Sequence, residues 1–400
     1  LRQPVADLGY LAGRAATTAA SFRRRHVAMT QINRPGASPC HLSTAGRTGV
    51  PSITMDLSPP ADPSLPEKRA ALLRPATYPE PAGAITLRET HMSCVFLAGG
   101  AVYKLKKPVH LDCLDYTTLD RRRRCCEAEV ALNRRLAPGV YLGTVPLVRA
   151  ADGTLRLGGE GEVVDWLVKM RRLPSARLLD AALADSTATV ADVEAAAAHL
   201  AAFFRAAPAE RVGDDGHLAR FAHDLALDRA LLCDPAFGLA DAAPASLLDL
   251  LADWLDRERA LLLARLHAGQ VIEGHGDLRP EHVFLGPPPA VIDCLEFDRA
   301  LRLLDPAEEV AFLALECALL DAAWAGTMFR DRCAGVRGDA PSPRLWAFYT
   351  AFRACLRARL AVGHLRDAEP RAAGTWLPKA RRYLALAWDA ARALSPPAGR

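Results

Sequence analysis

The sequence predicts a two-lobed α+β fold: a small antiparallel sheet with one inserted helix, followed by a larger, mostly helical lobe. Three observations predict it. Residues 84–89, 93–98 and 101–106 are short segments rich in β-formers, and Gly99-Gly100 separates the last two, as in an antiparallel meander. Residues 118–136 (TLDRRRRCCEAEVALNRRL) then read as a helix, after which 145–148, 155–157 and 163–170 resume strand patterning. Beyond Leu173, Ala, Leu, Arg and Asp recur at helical spacing, interrupted only near 271–293, where VIEGHGD and AVIDC look like short strands or loop edges.

The first lobe is thus assigned to residues 84–173 and the helical lobe to 174–395. Residues 1–75 mix Arg, Ser, Thr, Pro and Gly without a lasting apolar period and are expected to be an unstructured leader. That leader reads either as an over-extended translation start, with Met29 or Met55 as the true first residue, or as an organelle transit peptide. No internal repeat of solenoid period is present.

Half of the 400 residues are apolar, enough for a substantial core. Arg, Asp or Glu interrupts every Ala/Leu-rich stretch before it reaches the roughly 20 residues that cross a bilayer, so no membrane span is expected. The net charge is +4, but residues 1–80 hold ten Lys/Arg against five Asp/Glu, which leaves the remainder near −1. A chain without a broad cationic face has little electrostatic hold on a phosphate backbone, and no nucleic-acid partner is expected. The ten cysteines show no CxxC or Cys/His spacing of a zinc site. They read as reduced, buried thiols, which fits a cytoplasmic protein.

Chemistry gathers in VIEGHGDLRPEHVFL (271–285), where His, Asp, Arg, Glu and His stand in a loop between two apolar runs, and a lone carboxylate, Asp293, follows behind a buried-looking strand. Phosphoryl transfer needs one carboxylate to orient the attacking hydroxyl and a second to hold the metal ion that bridges the nucleotide phosphates; Asp277 and Asp293 fit these roles. It also needs a lysine on a short strand, fixed by a helical glutamate. Lys104 in AVYKLKK is the first choice, and Lys106 on the same strand face competes with it. Between Glu127 and Glu129, the latter lies beside the helical face of Cys126, Val130, Asn133 and Leu136, so Glu129 is the expected partner of Lys104.

With VYK at 102–104, HGDLRPEH at 275–282 and VID at 291–293, the chain resembles the aminoglycoside phosphotransferase and protein-kinase-like superfamily over roughly residues 84–365. ETHMSCVFL, VYKLKKPV, CEAEVALNRRLAPGVYLG and DCLEF through AFLALE resemble a mostly uncharacterised bacterial branch of it. Some members of that branch carry a further C-terminal P-loop domain; no GxxxxGK[ST] occurs here, so the chain resembles the kinase-like module alone.

The resemblance implies a protein-kinase-like fold, ATP with Mg2+ or Mn2+, Asp277 as catalytic aspartate and Asp293 as metal ligand. It implies a transition-state role for Arg279, which stands where many protein kinases have a lysine facing the transferred phosphate. His275 resembles the histidine that holds backbone geometry in kinase loops, and Asp305 and Glu309 resemble residues that brace the catalytic loop. The nucleotide is expected against the linking segment 164–170.

Two positions depart from the pattern. His282 stands where kinases usually have a metal-binding asparagine, and it can bind the second ion, contact a phosphate or simply pack. A glycine-rich phosphate loop is missing between the first two strands, where Thr90 and Ser93 either donate hydroxyls to phosphate or close a turn.

In the second lobe, Arg353, Arg357 and Arg359 read as solvated residues of an amphipathic helix or as contacts for an anionic substrate. Asp214, Asp215, Asp224, Asp228 and Asp241 read as solvated acids or as an attraction for a cationic one. The leading function is an ATP-dependent transfer of the γ-phosphate to a hydroxyl of a small-molecule acceptor. The alternatives are a nucleotide-binding pseudokinase that signals to a protein partner and, since no APE motif follows Asp293, more distantly a protein kinase.

Overall fold

The computed structural model describes residues 62–80, 82–111, 114–366 and 373–394. Six strands, β1 (Ile85–Glu89), β2 (Ser93–Ala98), β3 (Ala101–Lys106), β4 (Tyr141–Arg149), β5 (Leu155–Leu157) and β6 (Glu162–Arg171), form one antiparallel sheet in the order β1-β2-β3-β6-β4-β5. Strand alternation divides its residues between two faces. Cys94, Phe96, Tyr103 and Leu105 point to one face and join a core with Leu147, Leu157 and Leu167. Val95, Lys104 and their neighbours point to the other.

One helix packs on each face. α1 (Leu65–Leu72) closes the first face with Leu72, joined by Tyr78 and Ala82. This corrects the expected leader over residues 62–75, while its remainder, 1–61, lies outside the described residues. The physical reason is local. Ser64 and Glu67 make a reciprocal capping box, Pro66 sits in the first turn, and the Nζ of buried Lys68 donates to Asp165 at 2.8 Å. Without this helix the apolar face of the sheet would meet water. An eight-residue helix offers too short a period to be recognised from sequence.

α2 (Leu119–Asn133), capped by Thr118, packs on the opposite face through Cys126 and Val130. The two helices are linked through the sheet, because Asp165 also accepts from Arg122 Nε at 2.8 Å.

The second lobe holds α3 (Leu179–Ala184), α4 (Val190–Ala206), α5 (Asp214–Leu232), α6 (Pro244–Arg257), α7 (Arg259–His267), α8 (Pro306–Leu319), α9 (Ala323–Cys333), α10 (Pro343–Gly363) and α11 (Ala373–Ala391). Two-residue ladders sit between the lobes: β7 (Ile272–Glu273) pairs with β10 (Leu303–Leu304), and β8 (Val283–Phe284) with β9 (Ala290–Val291). Ala196, Ala197 and Ala201 are buried on α4, so small side chains permit close packing there. The largest core is built around Trp254 and Phe348, whose rings stack with centroids 4.1 Å apart.

α10 runs through this core with nearly all of its residues buried from Phe348 onwards. Arg353, Arg357 and Arg359 are therefore not solvated, which corrects that expectation. Arg353 pairs with Glu308 at 2.7 Å, Arg357 with Glu316 at 2.8 Å, and Arg359 with Asp228 at 2.6 Å and Asp224 at 3.4 Å. Buried charge requires such partners, and α8 and α5 supply them. Asp224 and Asp228 are thus structural partners of Arg359, while Asp214 contacts His267 at 2.8 Å and Asp241 pairs with Arg381.

The eight cysteines within the described residues are free thiols, six of them buried. No helix among the described residues is long and apolar enough to cross a membrane.

Candidate active site

A cleft of about 560 Å³ opens between the sheet and the second lobe. Pairing register determines what faces it, since residues directly opposite on neighbouring strands share a face. One cross-strand row is apolar: Leu97 pairs with Val102 and Val102 with Met170. The next is charged at its ends: Arg88 pairs with Val95 and Val95 with Lys104. All six line the cleft, so one row is apolar and the other ends in two cations, beside which the carboxylates of Glu129, Glu281, Asp293 and Glu296 also line it. The chain following β6 closes the apolar end through Leu173, Pro174 and Ser175. The expected linking segment is thus displaced: Val164 is buried in the outer core, and the cleft is reached only from Met170 onward.

At the charged end, Lys104 Nζ lies 3.0 Å from Glu129 Oε1 and 2.8 Å from Asp293 Oδ1. The sequence separations are 25 and 189 residues, so this convergence is a product of the fold. Glu127 points away and pairs with Arg123 on the helix surface. Lys106 is fully buried behind Lys104, where it pairs with the second oxygen of Glu129 at 2.6 Å and with Glu296. Glu296 also accepts from Tyr116 at 2.6 Å. Residues Lys106, Glu296 and Tyr116 thus hold Glu129 from behind and leave its other oxygen to Lys104. Sequence reasoning did not single out Glu296 or Tyr116, and the only signal was the position of Glu296 three residues after Asp293 in DCLEF.

Asp293 adopts φ +63°, in the left-handed region that a non-glycine residue seldom occupies. Its conformation is held by contacts from the first lobe: its N–H donates to Tyr141 Oη at 3.0 Å, and the N–H of Cys294 donates to Asn133 Oδ1 at 2.9 Å. Backbone strain maintained by such surroundings is characteristic of functional sites. Burial opposes ionisation of Asp293, but Lys104 and then His282 outweigh it and hold its carboxyl well below the ordinary range.

The loop 275–282 carries the second carboxylate. Asp277 is 6% exposed, and its Oδ2 accepts from Arg279 Nε at 3.1 Å and lies 2.9 Å from the guanidinium's NH2 group. Burial works against its charge, yet Arg279, with lesser help from His282 and Arg357, holds the carboxyl below its ordinary range. Arg279 also pairs with Glu281 at 2.5 Å.

His282 bridges the two carboxylates. Its Nδ1 is 2.8 Å from the Asp277 carbonyl oxygen, which can only accept, so Nδ1 carries the proton and donates. Its Nε2 lies 3.6 Å from Asp293 Oδ2 and 3.4 Å from the NH2 group of Arg279. His275 is fully buried with Nε2 at 2.8 Å from the Ile292 carbonyl, and burial pushes its imidazole down to about 4. A ring this hard to protonate ties loop to strand and moves no proton at neutral pH.

Glu309 of α8 braces the loop: one of its oxygens accepts from the N–H groups of His275, at 2.7 Å, and of Gly276. Gly276 has φ +87°, and a Cβ there would meet Leu301 and Arg302 at 3.1 Å, so the loop needs glycine at this point. Asp305 does not reach the loop; it caps α8 through the Ala307 N–H and pairs with Arg265.

Burial pushes Glu309 up to about 7, against the two backbone donors and the charges of Arg353 and Arg135. Between its ordinary value of 4.5 and about 7, the folded chain keeps a proton that the unfolded chain has released, so this group's contribution to stability falls as pH rises through that window. Glu309→Gln removes the titration. The melting temperature of the variant relative to wild type is therefore expected to rise from pH 5 to pH 7.5, and a flat difference would mean that Glu309 is ionised throughout.

Thr90 and Ser93 line the cleft, and they are bonded to each other. The Ser93 N–H donates to Thr90 Oγ1 at 2.9 Å and the Thr90 N–H to the Ser93 carbonyl at 2.9 Å, which closes the β1–β2 turn. Of the two readings of Thr90, this geometry supplies the turn closure.

The fold, a six-stranded antiparallel sheet followed by a mostly helical lobe, is that of the two-lobed kinase-like class. No family model matches the chain. It is 34% identical over 295 residues to uncharacterised proteins of Mycobacterium bovis and Mycobacterium tuberculosis, covering 72% of this chain and 57% of theirs, so it spans little more than half the length of these relatives. Among solved structures, the chain is similar to three phosphotransferases. A choline kinase from Cryptosporidium parvum shares 10% identity at a TM-score of 0.47, over 81% of this chain and 95% of that one. An aminoglycoside phosphotransferase from Alicyclobacillus acidocaldarius shares 15% at 0.42, over 86% and 96%. Another from Streptomyces rimosus, in complex with ADP and streptomycin, shares 18% at 0.37, over 66% and 90%.

Proposed function

We propose that the chain is an ATP-dependent phosphotransferase that passes the γ-phosphoryl group to a hydroxyl oxygen of a small-molecule acceptor, releasing ADP. The observation that carries this reading is Lys104 held between Glu129 and Asp293 at the charged end of a cleft that also offers the apolar row Leu97, Val102 and Met170. An adenine ring suits Leu97, Val102 and Met170, and the phosphates suit the Lys104 end. Asp277 is not among the residues that line the cleft, and it would orient the acceptor hydroxyl from the far side of Arg279 and take its proton. Arg279 would meet the charge that develops on the transferred group.

The donor set fits a divalent ion held jointly with the nucleotide. Among the described residues no three His, Cys, Asp or Glu side chains form a metal-binding group. Magnesium is commonly held by one or two carboxylates with phosphate oxygens and water completing its shell, a role open to Asp293. His282 Nε2 beside it adds a nitrogen donor, which manganese accepts more readily than magnesium does. When bound, the ion neutralises phosphate charge and orients the group for transfer.

Calorimetry with ATP, with and without Mg2+ or Mn2+, is expected to show metal-dependent binding, and a screen of hydroxylated metabolites for ADP release would identify the acceptor. Absence of nucleotide binding under every metal condition would remove the proposal. One observation favours a second reading, a nucleotide-binding pseudokinase: the carboxylate of Asp277 is clamped by Arg279 and nearly closed to solvent. Binding without ADP release on any acceptor would favour that module.

A further inference from the structure

We propose, resting on the nucleotide reading above, that Arg88 is a phosphate-binding residue whose guanidinium holds the terminal phosphates from the β1 side of the sheet, opposite Lys104. The register requires the two side chains to share a face, since Arg88 pairs with Val95 and Val95 with Lys104. They stand two strand spacings apart, roughly 10 Å along the sheet, with only Val95 between them. Both line the cleft. A polyphosphate lying beneath Val95 is therefore within reach of both cations.

The charge already engaged there shows why a further cation is needed. Lys104 lies between two carboxylates, and Arg279 between Asp277 and Glu281. Arg88 is exposed, and neither a hydrogen bond nor an ion pair engages it among the described residues.

The adjoining turn gives an independent reason. A glycine-rich loop would bring backbone N–H groups to the phosphates. Here the N–H groups of Thr90 and Ser93 are directed into the turn itself. Side-chain charge has to supply what those amides do not, and a guanidinium presents two parallel donors to a phosphate.

Binding of ATP and AMP to the purified full chain, measured by calorimetry with Mn2+, tests this. In Arg88→Gln, ATP affinity is expected to fall about tenfold or more while AMP affinity stays within about twofold, because only the outer phosphates are lost as partners. Arg88→Lys, which keeps the charge without the fork, should recover part of the loss. As Arg88 is exposed on an edge strand, the melting temperature should be unchanged. Equal loss for ATP and AMP, or ATP binding by Arg88→Gln at wild-type strength, would overturn the assignment while leaving the nucleotide reading intact. If the wild type binds neither nucleotide, that reading fails and Arg88 falls with it.

Discussion

In the Asp277→Asn variant, turnover on an identified acceptor is expected to fall by roughly 10²- to 10⁴-fold, the range contributed by a positioned acid–base group, while ATP affinity stays near wild type. The separation follows from position. Asp277 lies outside the lining of the cleft and behind Arg279, so the nucleotide has no contact to lose. The carboxylate is held ionised against burial, chiefly by Arg279, which suits a group that orients a hydroxyl and receives its proton late in a loose transition state. Asparagine keeps the shape and removes the charge.

The substitution also releases one arm of Arg279, yet Glu281 at 2.5 Å keeps the guanidinium paired, so the fold should lose little. Single-turnover kinetics beside ATP titration would separate the two effects. Wild-type turnover in the variant would end the catalytic assignment of Asp277, whereas an equal loss of ATP affinity would place it among the nucleotide contacts.

Much of this site was legible because its elements are short and locally specified. The Gly99-Gly100 turn and two-residue alternation located β2 and β3 at the residues where they occur, and alternation alone put Lys104 and Lys106 on one face. Helical spacing chose Glu129 over Glu127, and the structure brings Glu129 to both lysines. Spacing could not rank the lysines, since depth beneath the sheet separates them: Lys106 is fully buried and Lys104 faces the cleft.

What stayed hidden depends on partners distant in sequence. Arg353, Arg357 and Arg359 read as a solvated stripe because Glu308, Glu316 and Asp228 belong to other helices. The same holds for Tyr141 and Asn133, which fix the backbone of Asp293 and Cys294 from 152 and 161 residues away. No local pattern announces such contacts. Motif positions specified the charged groups, and tertiary packing decided which of them remain available for chemistry.

Asp293→Asn is expected to abolish the metal dependence of ATP binding, so that affinities with and without Mg2+ or Mn2+ converge and the metal's advantage, at least about tenfold or 1.4 kcal/mol, disappears. Asparagine is the better variant than alanine. Asp293 sits at φ +63°, a conformation that Asn adopts more readily than Ala, so the loss can be assigned to charge and not to a rearranged loop. With the carboxylate gone, the ion would keep only His282 Nε2 and the phosphates, a poor set for magnesium. Lys104, no longer shared with Asp293, keeps Glu129 at 3.0 Å and still offers its ammonium to the phosphates, so binding without metal should change far less. The same variant should lose turnover, because the phosphate charge is no longer neutralised where the transfer occurs. Metal-dependent binding of wild-type strength in Asp293→Asn would show that the ion, if one is used, rests on other groups.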